Sequence, residues 1–98
     1  MARKKIRTTR FDNAALLKSP QDVAAYLEAA LEDGDSRVIA AALGNIARAR
    51  GMTELARETG LGRESLYKAL SADGNPELGT VLKVVRALGL RLHAEPAE

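Results

Sequence analysis

No cysteine occurs in the 98 residues, so neither a disulfide framework nor a thiolate site can be built, and a reducing compartment is the natural setting. Tryptophan is absent as well, and the aromatics reduce to Phe11, Tyr26 and Tyr67. The core must therefore be assembled from Ala, Leu, Val and Ile, a mix that suits helices. One histidine, His93, and no Gly-rich phosphate loop leave little for catalysis. The acidic pairs Glu32–Asp33 and Glu54/Glu58 fall on helical faces turned to solvent, with no pocket to shift their protonation. No enzyme activity, catalytic residue, metal or cofactor is expected. Apolar runs such as 38–44 are far too short to span a bilayer, and the N-terminus lacks the apolar stretch of a signal peptide. The expectation is a cytoplasmic protein with no membrane partner.

What is present points to a single folded domain. Hydrophobic residues make up 46% of the chain, and its length allows one modest core. The formal net charge of +2 hides a segregation. Residues 1–10 carry five bases (Arg3, Lys4, Lys5, Arg7, Arg10) and no acid. Residues 11–36 carry six acids against one base, and 37–98 nine bases against seven acids. The two ends of the chain are thus equipped to meet a partner differently.

The most informative stretch is 53–70, TELARETGLGRESLYKAL. It reads as two short helices broken by a Gly-Leu-Gly corner, the pattern of a helix-turn-helix. Thr53 is expected as N-cap, with Leu55 and the small Ala56 inward, Gly60 in the left-handed conformation of a tight corner, and Leu61 plugging it. In the second helix Gly62, Leu66, Ala69 and Asp73 recur at i, i+4, i+7 and i+11, with Leu70 flanking this stripe. The opposite face carries Arg63, Glu64, Tyr67 and Lys68 together. A major groove admits one α-helix. There Arg63 can fork onto a guanine, Glu64 can accept from a cytosine amine, and Tyr67 and Lys68 can reach bases or phosphates. An ordinary helical corner with a solvated charged face is the competing reading.

The rest of the chain supports this stretch. Residues 1–10 are expected to be a flexible basic arm able to follow phosphates or enter a minor groove, although Ile6–Thr9 also reads as a weak edge strand. Residues 11–98 form a single helical domain. Within it, Phe11–Lys18 suggests one or two turns capped by Asp12, with Phe11, Ala15 and Leu16 inward. Ser19-Pro20-Gln21-Asp22 is a strong helix start, followed by the stripe Val23, Leu27, Ala30, Leu31 and the stop Gly34. The outer face of that helix and its exit, Glu28, Glu32, Asp33 and Asp35, suit a basic protein partner or plain solvation. A third helix, capped by Asp35 or Ser36, directs Ile39, Ala42, Leu43 and Ile46 inward and stops at Gly51. Its polar end, Asn45, Arg48 and Arg50, leads into the corner, so Arg48 and Thr53 join the candidate DNA contacts. Macrodipole stabilisation alone would also explain those arginines. After the turn 71–76, Leu78, Val81, Leu82, Val85 and Leu88 predict a last helix ending at Gly89. Leu90, Leu92 and Ala94 then alternate with Arg91, His93 and Glu95, predicting a short strand over 90–95. A solitary strand needs a partner: the same strand of a second copy would give a twofold dimer through Leu90, Leu92 and Ala94, and the N-terminal arm or a strand of another protein is the alternative.

The phrases LARETGL, RESLYKAL, GNPE and VLKVVRALGL together strongly resemble addiction-module antidote proteins, HigA-like antitoxins of the lambda-repressor-like (Xre) helix-turn-helix superfamily. FDNAALLKSPQDVAAYLEAALEDGD is similar to that family's N-terminal region, so the likeness covers residues 8–94. It implies an all-α, five-helix lambda-repressor-like DNA-binding domain with a helix-turn-helix and a short C-terminal strand. It also implies an antitoxin that neutralises a RelE/ParE-like toxin by direct binding and, as a homodimer on operator DNA, represses its own operon, associated with the nucleoid when bound. No toxin-binding residue is assigned, though the N-terminal third is favoured because it lies outside the corner. Many relatives have serine where this chain has Gly62, and the approach Gly51-Met52-Thr53 is shorter than in phage repressors. A stand-alone Xre-type regulator, or an interaction module without DNA binding, remains the alternative.

Overall fold

The computed structural model describes Leu17 and residues 19–97. The expected basic arm, with its Ile6–Thr9 strand candidate, and the turns over Phe11–Lys18, Leu17 apart, lie outside the described residues. These hold five helices and no strand: α1 (Pro20–Asp33), α2 (Ser36–Arg50), α3 (Met52–Thr59), α4 (Arg63–Ala69) and α5 (Leu78–Ala87). None of them is long and apolar enough to cross a membrane.

Local chemistry sets the helix limits. The Ser19 hydroxyl accepts from the Asp22 N–H at 3.0 Å while the Asp22 carboxylate accepts from the Ser19 N–H at 3.3 Å, a reciprocal capping box with Pro20 at the first helical position. Gly34, at φ 81°, closes α1. Asp35 then caps α2, accepting from the Arg37 N–H at 2.9 Å and lying 3.1 Å from the Arg37 guanidinium. The hydrogen bonds from the Arg37 side chain and backbone hold the Asp35 carboxyl below its ordinary pKa. At the end of α2, Gly51 takes φ 116° and serves at once as its stop and as the cap of α3.

α2 is the central element. It packs on α1 and α3, and α3 in turn contacts α4 and α5. Leu43, Ile46, Leu55, Leu66, Leu70 and Val84 are fully enclosed and form the centre of the core. α2 buries six positions in a row, Ala42 to Ala47. Small Ala and Gly side chains in that run let neighbouring helices approach closely. Gly44 is the extreme case, because a Cβ there would overlap the Leu70 carbonyl oxygen at the end of α4.

Three inward assignments change. In α5 the buried face is Val84 and Val85, with Val81 and Leu88 partly covered, whereas Leu78 is 70% and Leu82 46% exposed. Both stripes have helical spacing, and only the direction of α3 decides which is covered. In α1, Leu31 is exposed although Leu27 and Ala30 are buried. Asn45 is 5% exposed rather than at a polar end, and its amide donates to the Tyr26 hydroxyl at 2.8 Å, so a polar pair joins α1 to α2.

The expected strand over 90–95 is not formed within the chain. The Leu90 N–H donates to the Val85 carbonyl at 3.0 Å, Leu90 packs against the core, and residues 91–97 are exposed without regular secondary structure. A ladder needs a second strand, and none occurs among the described residues.

Candidate nucleic-acid interface

The stretch singled out in the sequence folds as α3, a three-residue corner and α4. Gly60, at φ 76°, reverses the chain after its N–H donates to the Ala56 carbonyl at 2.9 Å. The left-handed conformation there is costly for any residue with a Cβ. Thr59 secures the corner from inside, its hydroxyl donating to the Leu55 carbonyl at 2.9 Å and accepting from the Leu61 N–H at 3.2 Å. Leu61 is partly buried against the core beside Ala56, as its plug position demands. Leu66 and Leu70 anchor the inner side of α4, and Ala69 is half-buried. Asp73 does not extend this stripe: α4 ends at Ala69, and Asp73 is exposed in the following turn. There the chain folds so tightly back on α4 that a Cβ at Gly74 would overlap the Lys68 and Ala69 carbonyl oxygens.

With one side of α4 pinned, the other side is presented. Arg63, Glu64, Tyr67 and Lys68 are all exposed. The Arg63 guanidinium carbon lies 5.7 Å from the centre of the Tyr67 ring, within cation–π range. One short helix thus offers a forked donor, a carboxylate, a phenol and an ammonium on a face about two turns long. Gly62 precedes α4 with φ −71° and ψ 144° and supplies no side-chain cap, as its lack of a hydroxyl requires.

The two remaining candidates are placed differently. Thr53 is not the cap of α3. The helix begins two residues earlier than that cap implies, at Met52, which is buried in the core, and Thr53 lies exposed in the first turn. Burying the Met52 side chain outweighs the modest gain of a hydroxyl cap, typically ~1 kcal/mol. The Arg48 guanidinium is turned along α2 to donate to the Asn45 side-chain oxygen, continuing the Tyr26–Asn45 pair. Arg50 lies 3.6 Å from Glu58 and ties the end of α2 to α3. Of the six residues proposed to face DNA, the fold therefore gathers Arg63, Glu64, Tyr67 and Lys68 on one helix and leaves Arg48 and Thr53 off it.

Elsewhere a groove of about 300 Å³ runs between α1 and the C-terminal segment, bounded by Leu27, Leu31, Glu28, Glu32, Leu90 and Leu92. Its Leu31 and Leu92 are both large apolar side chains left exposed. The expected dimer residues Leu90 and Leu92 border this groove. The signal that could have found it is the fourth member of the α1 stripe, Leu31, which the core does not cover. Among the described residues no group of three His, Cys, Asp or Glu side chains is arranged to hold a metal ion.

Residues 7–96 match the family described as probable addiction module antidote protein. An uncharacterized protein of Haemophilus influenzae (strain ATCC 51907 / DSM 11121 / KW20 / Rd) is 46% identical over 85 residues, spanning 87% of this chain and 88% of that protein. No solved structure matches the chain.

Proposed function

The chain belongs to the probable addiction module antidote family, and from that premise we propose that it is the antitoxin of a type II toxin–antitoxin module with two activities. It neutralises a RelE/ParE-like toxin by direct binding, and it represses its own operon by binding operator DNA as a homodimer. In this reading α3 and α4 are the helix-turn-helix of a lambda-repressor-like domain, and α4 enters the major groove. The observation that carries it is the division of α4 into an enclosed side, Leu66 and Leu70, and an exposed side bearing Arg63, Glu64, Tyr67 and Lys68.

Roles follow from chemistry. Arg63 forks onto a guanine, Glu64 accepts from a cytosine amine, and Tyr67 and Lys68 contact bases or phosphates one turn further on. Arg48 and Thr53 are at most phosphate contacts, since Arg48 already bonds to Asn45. The dimer forms through Leu90, Leu92 and Ala94, the segment that has no strand partner within the described residues. The acidic surface of α1, with Glu28 and Glu32 exposed, lies outside the corner and suits a basic toxin.

A gel-shift titration on the native promoter tests the DNA reading. Arg63→Ala should weaken binding and relax base choice at one operator position by ~1–3 kcal/mol. Lys68→Ala should weaken binding to all sequences evenly. Unchanged promoter affinity in the double variant would refute the assigned face. Toxin neutralisation, followed by co-expression with the toxin, should survive both substitutions.

A further inference from the structure

The run from Arg91 to Glu95 has limits set by two independent features. At one end the Leu90 N–H is already donated to the Val85 carbonyl at 3.0 Å. At the other, Pro96 has no N–H to give. Between them lie five residues whose exposed backbone forms no helix or strand within the described chain. Leu90 packs against the core, and Leu92 borders the groove beside Leu31, with Arg91, His93 and Glu95 along the same groove. His93 Nε2 lies 3.9 Å from Glu95 Oε1, a spacing compatible with residues two apart sharing one face of an extended chain.

Resting on the dimer reading above, we infer that residues 91–95 pair antiparallel with the same residues of a second copy in a register centred on His93, with Arg91 of each protomer opposite Glu95 of the other.

Symmetry restricts the choices. In a twofold antiparallel pair a register is fixed by the residue or bond on the axis. Centring on a bond between two residues would set Leu92 against a polar neighbour and scatter the apolar side chains over both faces. Centring on Leu92 would place Arg91 against histidine and require the Leu90 N–H, which is spent. Centring on Ala94 would place Arg91 against Ala97 and lose its charge partner. Centring on His93 matches Arg91 with Glu95 twice, sets the apolar Leu92 against Ala94 twice, and aligns Leu90 with Pro96. Both members of that last pair lack an available N–H, so the ladder ends at the same place on both strands. The occupant of this edge is therefore a second copy of the chain, because the edge is complementary to itself.

Charge reversal in the full-length protein, followed by sedimentation equilibrium at micromolar concentration, tests the register. Arg91→Glu alone and Glu95→Arg alone should each weaken homodimerisation by about tenfold or more, since each turns two attractive cross-strand pairs into two repulsive ones. An equimolar mixture of the two variants should dimerise like the wild type, and so should the double variant Arg91→Glu/Glu95→Arg. All these side chains are exposed, so the helical circular-dichroism signal should not change. Because Leu90 and Pro96 bound the ladder, its hydrogen-bonded positions are the even-numbered Leu92 and Ala94, and Ala94→Pro should abolish the dimer by removing the donor beside the axis on both strands. If Ala94→Pro dissociates the dimer but the charge reversals do not weaken it, the register is wrong and tail-mediated dimerisation stands. If the dimer survives Ala94→Pro, both the register and the dimer reading beneath it fail. A wild-type monomer whose 91–95 amides are protected from exchange would also overturn the proposal, because the edge would then be filled by the chain itself.

Discussion

Gly44 fixes how close α2 and the end of α4 can lie, and it does so by having no side chain. A Cβ at this position would overlap the Leu70 carbonyl oxygen, a backbone atom that cannot rotate away. Ala would normally be the better helix residue by about 0.8–1.0 kcal/mol, so a helical glycine here reflects packing. Gly44→Ala is therefore expected to destabilise the fold by about 1–3 kcal/mol, the usual cost of overfilling a packed site, despite the gain in propensity. Urea unfolding would measure it, and a neutral or stabilising result would mean that α4 shifts without strain. Because Leu70 closes the same helix that carries Arg63 and Lys68, the proposed operator affinity should fall with it. The glycine is plain in the sequence but its reason is not, because the atom it avoids lies 26 residues further on.

Elements whose limits depend on neighbouring residues were legible in advance. Ser19-Pro20 with Asp22, Gly34, Asp35, Gly51 and Gly60 each act within one turn of the chain, and each takes the expected role. The pairing of α3 and α4 around Leu61 follows from the same local chemistry. Facing was less legible, since it depends on where another element passes. α5 has apolar residues on more than half its circumference, and contact with α3 selects Val84 and Val85 over Leu78 and Leu82. Gly51 takes the cap position expected of Thr53 for the same reason, the Met52 side chain being required in the core. Asn45 reads as polar and external, yet a hydroxyl on α1 makes its burial acceptable. These assignments are separable by unfolding experiments. Leu82→Gln should change stability by no more than about 0.5 kcal/mol, as for other exposed positions. Leu66→Ala, at a fully enclosed site, should cost about 2–5 kcal/mol. A large loss from Leu82→Gln with an intact monomer would place that side chain in the core after all.

At the scale of the whole molecule, the proposed operator face on α4 and the proposed toxin surface on α1 lie on different helices, whereas Glu28 and Glu32 of α1 share a groove with the proposed dimer segment. The acidic α1 would be repelled by a phosphate backbone, whereas the exposed face of α4 offers Arg63 and Lys68. The C-terminal segment stands apart from both in sequence, and in the proposed dimer it pairs with a second copy of the chain. Its role in DNA binding can be isolated. A twofold dimer presents two copies of α4 to two half-sites, and the second contact becomes intramolecular, which raises apparent affinity by roughly 10²–10⁴ when the geometry fits. A monomeric variant retains each half-site contact but loses that linkage. Ala94→Pro is therefore expected to weaken binding to the complete inverted repeat by about a hundredfold, with little change on an isolated half-site. Arg63→Ala should weaken both. Fluorescence anisotropy with the two duplexes at one salt concentration separates the outcomes, since phosphate contacts make affinity steeply salt-dependent. Equal losses from Ala94→Pro on both duplexes would instead mean that the C-terminal segment supports α4 directly, and that two-site binding has no part in operator recognition.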